Sequence, residues 1–255
     1  MTVHPSQPSS DLGEVPKLST KPAKMLTALT SWDWCYLFLT IPYTVLPELF
    51  TATPFDGFPY SRHVAKCLPL VVLIIWTLSS SQSLFKRVAL TVALWFSLSG
   101  DWALVDGDDA AYFTAGVQYF RLSHLAYITL FASSMRQSSM AALVAFIVFI
   151  GSMTMLVPKL YTLSSTEPDY LFLIPSYAAA IVVMFYTAVG TLQADSRIAA
   201  AGALVFMLSD FCLSVNRFVT PLLGAHYIVH VTYYASQALL TRAVLSGSEV
   251  KVKGN

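Results

Sequence analysis

Long runs of apolar residues, separated by short polar breaks, occupy most of the chain between residues 31 and 245. Each run is about 20 residues long, the length that an α-helix needs to cross the hydrocarbon core of a bilayer. Helices are expected because backbone polar groups in lipid have to bond within their own segment. The pattern therefore predicts an all-α polytopic membrane protein built as an eight-transmembrane-helix bundle. The predicted spans are residues 31–50, 64–82, 86–106, 111–133, 138–158, 169–191, 197–219 and 225–245.

Composition agrees with a membrane protein and excludes a soluble domain. The chain is 56% hydrophobic and only 11% charged, whereas soluble domains carry about 25% charged residues. The net charge of +1 creates no basic field, so no nucleic-acid partner is expected. The three cysteines are scattered within apolar runs and do not have the spacing of metal ligands.

The distribution of Lys and Arg predicts the orientation. Residues 1–30 are interpreted as a disordered cytosolic tail, residues 31–245 as one membrane domain and residues 246–255 as a second cytosolic tail. With the N-terminus in the cytosol, ten of the 15 Lys and Arg residues fall on the cytosolic side. Lys and Arg are enriched in cytoplasmic loops, so both termini are predicted to be cytosolic.

Two aspartates and a histidine inside the spans are the first candidates for chemistry. Asp101 lies fourteen residues beyond Arg87, and Asp210 lies thirteen beyond Arg197. Both are therefore about 20 Å from the cytosolic edge, and His124 is at about 18 Å on the same count. Ionisable groups within a membrane are costly and usually face a polar interior. We therefore predict that the three residues meet in one layer and share a functional site.

Span four carries a polar and aromatic stripe. Gly116 in this stripe is expected to let a neighbouring backbone approach closely. Arg121, in the same span, is interpreted as the counter-ion of one aspartate, and snorkelling of its side chain to the membrane interface is the alternative. The stripe residues are spaced three or four apart, as on one face of a helix: Phe113, Gly116, Phe120, His124 and Tyr127.

The acids also stand at corresponding places in two parts of the chain. Asp101 precedes His124 by 23 residues, and Asp210 precedes Tyr233 by 23 residues. Internal duplication and chance are both open interpretations of one shared interval. His230 is interpreted as a packing residue, and Arg217 as an interfacial residue.

Taken together, these residues resemble the signature of the YhhN-like lysoplasmalogenases, over roughly residues 64–245. Two further segments resemble the animal branch of that family: Lys66-Cys67-Leu68-Pro69 and Asn216-x-Phe218. The core of the resemblance is an ordered set across four spans: Gly100-Asp101, the span-four stripe, Ser209-Asp210, and Tyr233-Tyr234-Ala235-Ser236-Gln237.

The resemblance implies an eight-span protein of the endoplasmic reticulum or a related membrane. Such proteins hydrolyse the vinyl ether bond of lysoplasmalogens that carry ethanolamine or choline head groups, and they release a fatty aldehyde and a glycerophospho-base. The implied partners are a lysophospholipid substrate and membrane lipid, and no cofactor is implied. Two aspartates and a histidine could hold a metal, but their spacing does not specify one. The oligomeric state is left open.

Vinyl ether hydrolysis requires a proton on the distal alkene carbon, followed by addition of water to the resulting oxocarbenium ion. A carboxylic acid and a carboxylate do comparable work in glycoside cleavage. We therefore expect Asp101 and Asp210 to form the acid–base pair, with their roles unassigned, and His124 to orient a carboxylate or water. The expected substrate-binding residues contact the ether oxygen, the head group or the phosphate: Lys66, Arg121, Tyr127, Asn216, Tyr233 and Gln237.

Other function classes fit part of the same pattern. A proton-coupled transporter also places Asp, His and Arg within the membrane, and a duplicated architecture would suit one. A non-catalytic lysolipid-binding protein could retain the pocket without turnover. A hydrolase that acts on another lysolipid is a third alternative, since head-group selectivity depends on pocket geometry.

Overall fold

The computed structural model of this chain describes residues 30–45 and 60–246. Within these residues it contains eight α-helices, one π-helical turn and one isolated β-bridge. Each helix overlaps one of the eight predicted segments, whereas residues 46–50 of the first segment and nearly all of both predicted tails lie outside the described residues. The helices are α1 (Ser31–Val45), α2 (Ser61–Ser79), α3 (Leu84–Leu104), α4 (Ala110–Ala132), α5 (Ser139–Leu163), α6 (Tyr170–Gly190), α7 (Ser196–Ser214) and α8 (Ala225–Ser246).

Four of these helices are long and apolar enough to cross a membrane. They are α2, α5, α6 and α7 together with the π-helical turn Val215–Val219 that follows it. The protein is therefore an integral, multi-pass membrane protein. In α3, α4 and α8 the apolar sequence is interrupted by polar and ionisable residues, among them Asp101, His124 and Gln237, which lowers the hydropathy of those helices.

Helix starts coincide with short polar residues in the predicted breaks. Asp109 accepts a hydrogen bond from the backbone amide of Ala111 at 2.7 Å at the start of α4. Ser138 caps α5 in the same way, and Asp195 accepts from the amides of Arg197 and Ile198 at the start of α7. A side-chain oxygen at this position satisfies amides that have no partner within the helix. The local chemistry therefore helps to set where these three helices begin.

Glycine allows two neighbouring helices to pack closely. A Cβ added to Gly116 of α4 would lie 2.6 Å from the side chain of Leu104 and 3.4 Å from the carbonyl oxygen of Gly100 in α3. A Cβ on Gly100 would lie 2.7 Å from the ring of Phe120. Gly100 therefore makes room for an aromatic ring directly beside Asp101, and the close approach predicted at Gly116 is confirmed.

One helix is longer than the sequence predicts. The fifth span was expected to end at residue 158, but α5 continues through Pro158 to Leu163. Proline removes one backbone hydrogen bond and bends a helix. Within a membrane the rest of the segment still has to satisfy its own backbone groups, which favours continuation of the helix.

Candidate functional site

A cavity of about 330 Å³ lies among the helices at the end where α3 and α7 finish and α2 and α8 begin. Its wall combines apolar side chains with charged and polar ones, and we call it the polar cavity. Its inner wall includes both candidate carboxylates, Asp101 and Asp210. Its rim carries the exposed side chains of Arg62, Asp108 and Arg217. Helices α3 and α7, which are distant in sequence, thus bring the two predicted acids to one cavity.

Asp101 is enclosed and matched by a cation. Its side chain is 2% exposed, and its Oδ1 lies 3.5 Å from Nζ of Lys66, which is itself buried. The hydroxyl of Tyr233 donates a hydrogen bond to Asp101 Oδ2 at 2.6 Å. A buried charge is stabilised only when it is both paired and hydrogen-bonded. The surroundings of Asp101 provide both interactions for an ionised carboxylate.

Asp210 has different neighbours. The hydroxyl of Tyr177 donates a hydrogen bond to Asp210 Oδ2, and Nε2 of His124 lies 3.8 Å from the same oxygen. His124 is fully buried, and its Nε2 lies 3.2 Å from the Tyr177 hydroxyl. Among the described residues, no Lys or Arg nitrogen lies within 4 Å of this carboxyl group. Tyr177 therefore connects His124 and Asp210, so the predicted contact between them runs largely through a tyrosine.

Along the chain, the 23-residue interval relates Asp101 to His124 and Asp210 to Tyr233. In the structure, each acid instead contacts the residue related to the other acid. Asp101 of α3 bonds to Tyr233 of α8, whereas Asp210 of α7 faces His124 of α4. The ring of Phe120 lies 5.7 Å from that of Tyr233, and both residues line the cavity. Each carboxyl group is thus completed by a residue from the other helix pair.

A second cavity of about 320 Å³ meets the first at Asp210. It lies between α5, α6 and α7 and is lined almost entirely by apolar side chains. Asp210 and Tyr177 line both cavities. Asp210 is therefore one of the residues in the wall between a polar compartment and an adjoining apolar compartment.

The structure separates the predicted substrate-binding residues into two groups. Lys66, Asn216 and Tyr233 line the polar cavity. The amide oxygen of Asn216 also accepts a hydrogen bond from the backbone of Leu222 at 2.9 Å, which supports the chain beyond the π-helical turn. Of these three residues, only Asn216 has no described contact with either acid.

Three predicted residues lie away from this cavity. Arg121 was expected to be the counter-ion of an aspartate, which is wrong: its guanidinium donates to the hydroxyl of Ser176 at 2.9 Å. The hydroxyl of Tyr127 donates to Gln237 Oε1 at 2.8 Å, and the Gln237 amide donates to Ser97. Tyr127 and Gln237 are fully buried in a network between helices. In the structure their polar groups bond to each other and to Ser97, and neither residue lines the polar cavity.

Sequence reasoning missed several residues of the site. Tyr177 lies thirteen residues before the end of α6, and therefore about 20 Å from the predicted cytosolic edge, the same depth as both acids. That depth is the signal that could have identified it. Arg62 and Arg217 lie on the side where cations are scarce, and the structure places both at the rim. His230, interpreted as a packing residue, also lines the cavity.

The described residues contain no group of three or more His, Cys, Asp or Glu side chains arranged to hold a metal ion. The aspartates instead have protein partners, namely a lysine and a tyrosine at Asp101 and a tyrosine and a histidine at Asp210. The polar chemistry that the chain itself offers at this place is therefore that of carboxyl groups, a phenol, an imidazole and cations.

Comparison with known proteins gives consistent results. Human lysoplasmalogenase TMEM86B is 32% identical over 194 residues, which cover 75% of this chain and 79% of that protein. Lysoplasmalogenase TMEM86B of Sus scrofa is 29% identical, with coverage of 74% and 77%, and lysoplasmalogenase TMEM86A of Bos taurus is 26% identical, with coverage of 72% and 78%. No solved structure matches the chain significantly. The sequence pattern of the YhhN family matches residues 61–244, and the chain therefore belongs to the YhhN family.

Proposed function

We propose that this protein is a lysoplasmalogenase, which hydrolyses the vinyl ether bond of a lysoplasmalogen to a fatty aldehyde and a glycerophospho-base. The observation that carries the proposal is the position of Asp210 at the junction of a polar and an apolar cavity. A lysoplasmalogen has the same division, since its vinyl ether joins a polar head group to a hydrocarbon chain. The relatives named lysoplasmalogenase support the same activity.

The reaction requires two functions from the protein. A proton is delivered to the distal alkene carbon, which leaves an oxocarbenium ion with its positive charge shared between C1 and the ether oxygen. Water then adds to C1 and loses a proton, and the hemiacetal collapses to the aldehyde and the free glycerol hydroxyl. One group has to donate a proton and another has to accept one or stabilise the cation, as in glycoside hydrolysis.

The neighbours of the two acids suggest their roles. Asp210 lines the apolar cavity and, among the described residues, has no Lys or Arg nitrogen within 4 Å, so its surroundings provide less stabilisation for an ionised carboxylate than those of Asp101. Asp101 is paired with Lys66, which favours its ionised form. We therefore assign Asp210 as the proton donor and Asp101 as the carboxylate that stabilises the cation and accepts the proton of the attacking water.

His124 and Tyr177 act on Asp210 as positioning residues. Tyr177 contacts both the carboxyl group and the imidazole, so it fixes the carboxyl orientation and provides a route for reprotonation. Phe120 and Tyr233 present aromatic rings on the polar side of the junction. The faces of such rings attract cations, which suits the oxocarbenium ion.

The rim of the polar cavity suits a phosphate. Arg62 and Arg217 are exposed there, and Nη1 of Arg217 lies 3.9 Å from the carboxylate of Asp108, a loose contact that a phosphate can replace. Guanidinium groups form paired hydrogen bonds with phosphate oxygens. These two residues take the phosphate role that the sequence had suggested for Lys66 or Arg121, since Lys66 lies deeper, beside Asp101.

The proposed membrane arrangement follows the charge distribution. All eight helices span the bilayer, residues 31–245 form one domain, and the flanking tails and both termini are cytosolic. The polar cavity then opens towards the non-cytosolic side, because it lies at the end of α3 beside the loop at residues 105–109. The proposed location is the endoplasmic reticulum membrane.

The experiment is a time course of fatty aldehyde release from lysoplasmenyl-ethanolamine by the protein purified in detergent. A saturated alkyl-ether analogue is the substrate control, and Asp101→Asn and Asp210→Asn are the protein controls. We expect aldehyde from the vinyl ether alone and its loss in both variants. Folded wild-type protein that releases no aldehyde across several detergents and added metals contradicts the proposal, and lysolipid binding without turnover would then favour the non-catalytic alternative.

A further inference from the structure

The apolar cavity has the form of a groove on the side of the bundle. Helix α6 packs against both α5 and α7, while α5 and α7 themselves meet chiefly where α5 reaches the π-helical turn. Helix α6 is therefore the floor of the groove, α5 and α7 are its walls, and the π-helical turn closes one end. Leu204, Leu208 and Phe211 line it and are 40–51% exposed on the lipid-facing surface. A groove of this form is open to the hydrocarbon core along its length.

We infer that this groove binds the alkenyl chain of the substrate and that Gly151 of α5 keeps it open. The inference rests on the proposed function. Two observations identify the occupant as the substrate chain: the groove is lined almost entirely by apolar side chains, and Asp210, which also lines the polar cavity, lies in its wall. A lysolipid whose phosphate lies at the rim can then place its vinyl ether at the junction.

The direction of the chain follows from the polar cavity, which extends beyond Asp210 to Asn216 and Arg217 and is the proposed site of the head group. Leu204 lies six residues before Asp210, about 9 Å closer to the predicted cytosolic edge. Val148 of α5 and Val182 of α6 line the same part of the groove. The chain therefore runs from the junction towards the middle of the bilayer and leaves the groove laterally.

Gly151 is the position at which the groove can be tested without disturbing the fold. It lines the groove and is exposed, and a Cβ added to it would meet no atom within 4 Å. Gly100 and Gly116, in contrast, are in contact with neighbouring side chains. A larger side chain at residue 151 therefore fills the space proposed for the substrate and leaves the protein core unchanged.

The test compares kcat/KM for two lysoplasmenyl-ethanolamines, one with an octadecenyl chain and one with a butenyl chain, in wild-type protein and in Gly151→Trp. We expect the ratio of the long-chain to the short-chain value to fall about 10- to 100-fold in the variant, since even one methylene group in an apolar pocket changes kcat/KM by this order. Ile150→Trp is the matched control, because Ile150 is 43% exposed and does not line the groove. Its ratio should equal that of the wild type.

The outcomes separate this inference from the proposed function. Wild-type protein that hydrolyses neither substrate contradicts the proposed function. Hydrolysis by the wild type, with an unchanged ratio in folded Gly151→Trp or with equal loss of both substrates, overturns the groove inference alone. A fall in the ratio that is matched in Ile150→Trp also overturns it, because the effect would then come from an added indole anywhere on this turn of α5.

Discussion

The Asp101 and Asp210 sides of the cavity contain similar residues and differ in what surrounds them. Each acid follows a small residue late in a helix, Gly100 or Ser209, and each has a tyrosine hydroxyl as a hydrogen-bond donor. Asp101 is 2% exposed and has a lysine partner, whereas the Asp210 side chain is 13% exposed and faces an apolar groove. Two equivalent carboxyl groups thus receive different electrostatic environments.

In the proposed mechanism, that difference lets one residue type serve as both acid and base in a single site. The favoured protonation state of a carboxyl group depends on nearby charge and on access to a polar medium. Here the charge comes from α2, through Lys66, and the apolar wall comes from α5 and α6. The environments of the two acids therefore differ because of α2, α5 and α6, which lie outside the pairs α3–α4 and α7–α8 that share the 23-residue interval.

The largest expected effect is the loss of either carboxyl group. Asp101→Asn and Asp210→Asn should each lower kcat by about 10²- to 10⁴-fold, the usual contribution of a general acid or base. Rates of aldehyde release at saturating substrate check this for variants that elute as folded protein. Full activity in either variant would show that the carboxyl group removed in that variant has no catalytic role.

The next effect concerns stability on the Asp101 side. Lys66→Met leaves a buried carboxylate without its cation, and loss of one partner of a buried pair costs about 3 kcal/mol or more. Thermal unfolding in detergent should show a large loss for Lys66→Met and partial recovery in the double variant Lys66→Met/Asp101→Asn. The control is Arg121→Met, which removes one hydrogen bond to Ser176 and should cost about 1 kcal/mol. A double variant no more stable than the single one would refute the pairing.

A smaller effect should distinguish the two tyrosines. Tyr177→Phe removes the group that joins Asp210 to His124, and misplacement of the proton donor should lower kcat by up to about 100-fold. Tyr233→Phe should have less effect, because Lys66 still holds Asp101. The measurement is kcat for both variants. A greater loss of kcat in Tyr233→Phe would show that Asp101 depends on its tyrosine more than Asp210 does, which contradicts this expectation.

The smallest effect is expected at the rim. Arg217→Gln should raise KM about tenfold with little change in kcat, as expected for one hydrogen bond to a charged group that is made equally in the ground and transition states. Arg121→Gln should leave both constants unchanged, because Arg121 bonds to Ser176 and does not line the polar cavity. Steady-state kinetics on lysoplasmenyl-ethanolamine measure both, and equal KM values for Arg217→Gln and the wild type would exclude the phosphate contact.

The arrangement of helices was largely predictable because the apolar runs and the polar breaks are strong signals. Counting residues from the loops also placed Asp101, Asp210 and His124 at one depth, and the structure brings the two acids to one cavity. Depth alone does not determine which way a side chain points. Arg121 follows Phe120 by one residue, about 100° around the helix, and it therefore faces Ser176 rather than an acid.

Partners from different helices were the part that sequence could not provide. The bonds between Asp101 and Tyr233 and between Asp210 and Tyr177 join residues 132 and 33 positions apart. Tyr127 and Gln237 show the same limit, since polar residues on facing helices can bond to each other rather than to a ligand. Only the packing of the helices shows which of these polar groups remain available to a substrate.

The most direct test of the central claim is hydrolysis of lysoplasmenyl-ethanolamine in D₂O, with the product aldehyde examined by mass spectrometry. Protonation of the distal alkene carbon from a solvent-exchangeable carboxyl group predicts one deuterium at C2 of the aldehyde. Unlabelled aldehyde incubated with the protein in D₂O is the control for exchange after release. A product without deuterium at C2 would contradict acid catalysis at the vinyl ether, and with it the roles given to Asp210 and Asp101.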